Sequence, residues 1–271
     1  MISSERYKLV DGSMINEVKY RIAVINYSGN TGKSLASNYL LRPHMISQDH
    51  YVISDMSIYN KTYSDEILLL SRNSDEVLKS LNNLDSAIVD IAAHTTDCVL
   101  SIMQNSFDSH KVFDYFLVPV VKGRQELEDS LNTIKALLKL GVASNSIKVV
   151  FNNIDNENNI NYLENIDNDF EYLLSHLNEL NISYDTSAVI EHNPLYSRLA
   201  ELDMNLSDLL SIPVDEKMDR KEHLRVKDSA ERTEEEFEEL KMLASLITTW
   251  RCAQSAVRNL NNVHSLLFAK L

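Results

Sequence analysis

Gly32-Lys33-Ser34 closes the stretch Tyr27-Ser28-Gly29-Asn30-Thr31-Gly32-Lys33-Ser34, which holds two of the five glycines in this 271-residue chain. These residue types suit one chemistry. Backbone N–H groups of a Gly-containing turn wrap phosphates, a lysine ammonium reaches the terminal ones, and a serine hydroxyl holds Mg2+. The strict pattern G-x-x-x-x-G-K-[ST] has glycine where this chain has Tyr27. The competing reading is an ordinary strand-to-helix turn with an exposed lysine, and the scarcity of glycine elsewhere weighs against it. The candidate nucleotide contacts are therefore Ser28, Gly29, Asn30, Thr31, Gly32, Lys33, Ser34 and Leu35.

Further residues carry matching chemistry. Ile88-Val89-Asp90 ends an apolar run with a carboxylate, which suits Mg2+ opposite the loop serine or, alternatively, a helix N-cap. Asn152-Asn153-Ile154-Asp155 has the spacing of the guanine-reading Asn-Lys-x-Asp motif, with Asn153 in place of the lysine. An amide such as Asn152 suits adenine and a carboxylate such as Asp155 suits guanine; a merely polar, Asn-rich loop is the plainer alternative. Lys122-Gly123-Arg124 puts two cations after another apolar run, as phosphate ligands or as an exposed basic pair. His94-Thr95-Thr96-Asp97-Cys98 lacks metal-ligand spacing, and neither Gly-x-Ser-x-Gly nor a redox cysteine pair occurs.

These residues need a frame that brings strand ends together. Short apolar runs at 22–26, 51–54, 86–91, 115–121, 147–151 and 188–190 alternate with helical patterns at 34–41, 64–81, 96–104, 125–140, 159–180 and 194–210. Continuously apolar strands alternating with helices imply an α/β fold, a mostly parallel sheet with helices on both faces. Ligands bind such sheets at the carboxyl ends of the strands, where 28–34 would lie.

Three segments are expected: an arm at 1–20, a nucleotide-binding domain at 21–214 and a helical extension at 215–271. Segment 228–241 has seven acidic residues against two basic ones, and none of the residues from Met242 onward is acidic. There Leu243, Leu246, Trp250, Ala253, Val257, Leu260, His264, Leu267 and Leu271 form a 3-4 seam. The seam suits packing on the α/β domain, pairing with another helix, or a membrane surface, the last weakened by few basic residues. Two cysteines and a start without an apolar core fit a cytoplasmic protein. A net charge of −14 favours a separate DNA-binding partner protein over direct contact with DNA.

The run from Ile22 to Ser34, Leu40-Leu41-Arg42-Pro43-His44-Met45, Ile88-Val89-Asp90 and Phe113-Asp114-Tyr115-Phe116-Leu117-Val118-Pro119-Val120-Val121-Lys122-Gly123-Arg124 resemble the StbB group of plasmid stability proteins, within the ParA/MinD-type P-loop ATPases. The resemblance covers about residues 20–212. It implies an ATP (or ADP) and Mg2+ site, a homodimer, and a role in plasmid stability or segregation with a DNA-binding partner. By motif position Lys33 binds phosphate, Ser34 and Asp90 handle Mg2+, and Asn152 touches adenine. Two departures imply slow hydrolysis. Ser28 stands where the family's signature lysine falls, and Asp55-Met56-Ser57 keeps one carboxylate, Asp55, of the Asp-x-Asp that orients water. Arg124 is the candidate replacement cation, within the chain or across a dimer. The alternatives are a GTPase or small-molecule kinase of the same broad fold, and a non-hydrolysing nucleotide-bound scaffold.

Overall fold

A computed structural model describes residues 19–45, 49–55, 67–106, 108–155, 162–202, 204–227 and 231–268. It divides the chain into two compact units, one formed by the residues up to His192 together with those from Leu260 onward, the other by Asn193–Asn259. The expected boundary near 214 is thus replaced by a break after His192, and the end of the chain returns to the first unit.

In the first unit, β1 (Arg21–Val24), β2 (His50–Ile53), β3 (Ile67–Leu69), β4 (Ala87–Ile91), β5 (Tyr115–Val120), β6 (Ile147–Ile154) and β7 (Val189–Glu191) form one sheet in the order β3-β2-β4-β1-β5-β6-β7. Every pairing is parallel. The α/β fold expected from the sequence is the fold observed. The central strand, β1, lies between β4 and β5, and Val24 sits in register with Asp90. The chain leaves β1 toward one edge and later crosses to the other. The end of β1 is therefore a switch point, where a crevice opens beyond the strand ends.

Alternation along β1 feeds two cores. Ala23 and Ile25 join Val89, Phe116, Val118 and Val149 on one face, with α2 (Ser74–Leu81), α3 (Thr96–Asn105), α4 (Arg124–Lys139) and α6 (Glu171–Glu179) contributing Leu81, Val99, Ile134 and Leu173. Ile22 and Val24 join Ile88, Leu117 and Val150 on the other face. There the cover is Ala36, Leu40 and Leu41 from the helix after the loop and Leu260, Val263, Leu267 and Phe268 from the end of α10 (Glu234–Phe268).

Several elements differ from expectation. The helix expected over 64–81 begins only at Ser74, because Ile67-Leu68-Leu69 pairs with β2 as the sheet's edge. The helix expected over 159–180 is broken into α5 (Tyr162–Asp169) and α6 at Phe170, whose ring is fully buried edge-on against Phe151. The helix over 34–41 is α-helical only at α1 (Lys33–Leu35); Ala36–Leu41 is π-helical and Arg42–His44 is 3-10. The wider π turn puts residues i, i+4 and i+5 on one side, which is how Ala36, Leu40 and Leu41 all reach the same core. Gly141, φ +92°, ends α4 as expected, with Val142 N–H reaching Leu137 O at 3.1 Å.

The second unit contains α7 (Leu195–Glu201), α8 (Leu206–Ser211), α9 (Val214–Val226) and α10 as far as Asn259. The acid-rich run serves a helix start. Thr233 Oγ1 accepts from Glu236 N–H at 3.2 Å, Glu236 accepts from Thr233 N–H at 3.0 Å, and Lys227 pairs with Glu236 at 2.7 Å. Along α10 the buried stripe is Leu243, Ile247, Ala253, Ala256, Leu260, Val263 and Leu267. It drifts from the expected seam, leaving Leu246, Trp250 and Val257 half-buried, as a straight helix drifts from a strict heptad. Leu271 lies outside the described residues. Among the described residues, no helix is long and apolar enough to cross a membrane.

Candidate nucleotide site

The loop is fastened at its start. Asn26 is wholly buried just past β1, and its Nδ2 donates to Pro119 O at 2.9 Å and to Ser130 Oγ at 2.8 Å. Its Oδ1 accepts from Ser28 N–H at 2.9 Å, which turns the chain. Tyr27 N–H donates to Thr133 Oγ1 at 3.0 Å. Ser130 and Thr133 sit on α4 and give their own protons to Glu126 O and Asp129 O, so each hydroxyl can accept from the loop. The Tyr27 side chain hydrogen-bonds Asp97 on α3, and burial plus that carboxylate push its pKa up to about 12. The tyrosine that replaces the first motif glycine thus ties the loop to the helix following β4.

The loop's far end is held from β6. Gly32 has φ +87°, and a Cβ there would lie 2.0 Å from Asn152 Nδ2. That nitrogen donates to Thr31 O at 2.9 Å, and Asn152 is buried. Glycine is required at 32 on both counts. At Gly29 a Cβ would meet nothing within 4 Å. The helix starts immediately, with Ala36 N–H donating to Gly32 O at 2.9 Å.

Lys33 is buried, and its Nζ donates to Ser28 O at 2.6 Å and Asn26 O at 3.2 Å. Burial lowers its pKa to about 8, against the pull of the buried Asp90 carboxylate. A cleft of about 520 Å3 opens over these groups, lined by Gly29, Asn30, Gly32, Lys33, Ser34 and Leu35, by Val52 and Ser54 at the end of β2, and by Asp90, Ala92, Ala93 and His94. The structure therefore brings Lys33, Ser34 and Asp90 to one opening at the carboxyl ends of three strands.

Other sequence candidates fall elsewhere. Asp55 accepts from Ser71 N–H at 2.7 Å and from the Ser71 hydroxyl, bonds that hold its carboxyl below the usual range. Its neighbours Met56 and Ser57 lie outside the described residues. Asn152 is turned onto the loop backbone, whereas Asp155 is exposed beyond the end of β6. Arg124 does not line this cleft of its own chain. Its side chain is 94% exposed, pairs with Glu128 at 3.2 Å, and lines a separate cleft with Lys122 and Tyr172. The reason is placement: Arg124 is the first residue of α4, and the exposed Glu128 one turn on takes its charge. Sequence reading missed Asn26, Ser130, Thr133 and the Tyr27–Asp97 tie. His94, which lacks metal-ligand spacing in the sequence, also lines the cleft.

Fold and site together define a parallel α/β protein with a strand–glycine loop–helix turn at its topological switch point. Neither a protein-family model nor a curated protein sequence matches the chain. Among solved structures, the ATP complex of a single-residue variant of McdA from Cyanothece is 14% identical, covering 72% of this chain and 91% of that one, with a TM-score of 0.43. The MinC:MinD cell division complex of Aquifex aeolicus is 14% identical over 65% of this chain and 82% of that one, TM-score 0.41. The septum site-determining protein MinD of Pyrococcus horikoshii OT3 with Mg-ADP is 15% identical over 66% and 83%, TM-score 0.40.

Proposed function

We propose that the chain binds Mg2+-nucleoside triphosphate, ATP in the first instance, in the cleft over residues 28–34, and that it works as a ParA/MinD-like ATPase. The supporting observation is Lys33. An ammonium buried until its pKa falls to about 8, and bonded to carbonyls of its own loop, sits beside a buried carboxylate at an open cleft. Phosphate oxygens would relieve that desolvation in a way the two carbonyls cannot.

The donor set fits the ligand. Lys33 would move from Ser28 O and Asn26 O onto the terminal phosphates, while amides of the loop and of the following helix turn would face the rest of the chain of phosphates. Ser34 and Asp90 would hold Mg2+, which screens phosphate charge during transfer. Asn152 then acts by fixing Thr31 and crowding Gly32, rather than by reading the base. Ser28 in place of a cation at the loop argues for slow hydrolysis, since a missing charge in phosphoryl transfer costs orders of magnitude in rate. Arg124, exposed on its own chain, remains available to a second copy in a homodimer.

At the cellular level the reading is a cytoplasmic plasmid-stability or segregation protein of the StbB kind, acting with a separate DNA-binding partner. Its support is the sequence resemblance and the net charge of −14. Titration of Mg-ATP and Mg-GTP into wild type and Lys33→Ala tests the site. Binding of ATP that the variant abolishes is the expected result. Tighter GTP would favour the GTPase reading, and binding without turnover, even with partner and DNA, the scaffold reading.

A further inference from the structure

His94 lies at the mouth of the same cleft, and its hydrogen bonds fix which of its nitrogens is left as a donor. Its Nε2 takes the Asp55 backbone N–H at 3.2 Å and stands 3.4 Å from Ser54 Oγ. A backbone N–H can only donate, so Nε2 is the acceptor and the neutral ring carries its proton on Nδ1. The ring is exposed and lines the opening together with Lys33, Ser34 and Asp90. The backbone beneath it is pinned. Thr95 Oγ1 lies 3.1 Å from Ile53 O and 2.8 Å from Ala92 O, and Thr96 Oγ1 is 3.5 Å from Asn26 O. His94 is thus held between the end of β2 and the start of the loop, with Nδ1–H as the donor left over.

We propose that His94 is a phosphate-contacting specificity residue: its Nδ1–H donates to the terminal phosphate of a bound nucleoside triphosphate. It makes the site prefer triphosphate over diphosphate. The inference rests on the reading of the cleft as a nucleotide site. It adds a polar donor to the terminal phosphate beside Lys33, at a site whose loop carries Ser28 in place of a second cation.

Two amide substitutions separate this role from a structural one. An asparagine amide can place N–H where His Nδ1 stands. A glutamine can place its oxygen where Nε2 stands, which keeps the Asp55 bond and leaves no donor at the δ position. Calorimetric titration of wild type, His94→Ala, His94→Asn and His94→Gln with the Mg2+ complexes of a non-hydrolysable ATP analogue and of ADP reads the difference. The expected result is that His94→Ala and His94→Gln lose about tenfold in affinity for the triphosphate analogue, the worth of a hydrogen bond to a charged group. ADP affinity should stay within about twofold of wild type, and His94→Asn should keep most of the preference. Loss of both ligands in parallel, unchanged discrimination in His94→Ala, or rescue by glutamine and not asparagine would each overturn the assignment while leaving the nucleotide site standing. Failure of wild type to bind either ligand overturns the site and this inference with it. Thermal melts of all four proteins show whether each is folded.

Discussion

Asn152 and Gly32, 120 positions apart in the chain, are fitted to each other: the Asn152 amide that donates 2.9 Å to Thr31 O would stand 2.0 Å from any Cβ at position 32. Gly32→Ala must therefore displace the amide and also hold alanine at φ +87°, at a cost on the order of 1–3 kcal/mol for the backbone strain alone. Urea denaturation should record that loss, and nucleotide titration should show binding abolished. Gly29→Ala, whose Cβ meets nothing within 4 Å, should be close to neutral in stability. In a double-mutant cycle Asn152→Ala should cost less in the Gly32→Ala background than alone, because it removes the clash. Strict additivity would contradict the fit.

Lys33 gives the site a pH dependence with a definite sign. Its pKa of about 8 belongs to the free protein, and phosphates favour the charged ammonium, so above pH 8 binding must take up a proton. Nucleotide affinity should be flat below pH 8 and weaken above it, by up to about tenfold per pH unit. Calorimetry at pH 9 in buffers of different ionisation enthalpy should detect the uptake. Affinity that rises between pH 8 and 9 would contradict this assignment of Lys33.

The end of α10 completes one face of the sheet, so it is part of the first unit's fold. Phe268 is buried edge-on against Tyr115 at 5.5 Å between ring centroids, beside Val263, Leu267 and the β1 residues Ile22 and Val24. Phe268→Ala should lower unfolding free energy by about 3–5 kcal/mol in urea titration. Removal of residues from Leu260 onward should leave that face covered only by Ala36, Leu40 and Leu41 and the first unit unfolded or aggregated. A truncated chain with an unchanged melting temperature would show that this packing contributes nothing.

His44 and His264 stack with ring centroids 3.8 Å apart and planes 7° from parallel, and both are buried. Burial pushes His44 down to about 4, against a hydrogen bond that its ring donates to Asn261, and burial plus the neighbouring ring push His264 down to about 3. The unfolded chain protonates both near pH 6.5, so it binds more protons than the folded chain between roughly 6.5 and 4. The stability they allow is complete above pH 6.5 and is lost as pH falls toward 4. The slope is at most about 1.4 kcal/mol per pH unit for each ring. His264→Phe should flatten the acid side of a plot of urea midpoint against pH; an unaltered slope would contradict the burial account.

Much of this frame is legible in the residues. The apolar runs of β1, β4, β5 and β6 are buried on both faces and read as strands, and Gly141 marks the end of α4. The failures have physical causes. Ile67-Leu68-Leu69 is too short for its period to be told from the start of the helix that follows, and only its pairing with β2 makes it a strand. Phe170 breaks a helical pattern for the sake of a buried ring. At the site, the loop and Asp90 are local signals. Asn152 on Thr31 and Ser130 on Asn26 are decided by where distant helices and strands bring side chains, which spacing along the chain does not carry; Arg124 on Glu128 is by contrast a local pair one helical turn apart.

The central claim is that Lys33 sits in a phosphate cradle. Calorimetric titration of Mg-ATP and Mg-GTP into wild type and Lys33→Ala, with melts showing both proteins folded, tests it most directly. The account predicts saturable ATP binding by wild type and none by the variant. Equal binding by the two proteins, or no binding of either nucleotide by folded wild type, would contradict it and leave residues 28–34 as an ordinary strand-to-helix turn.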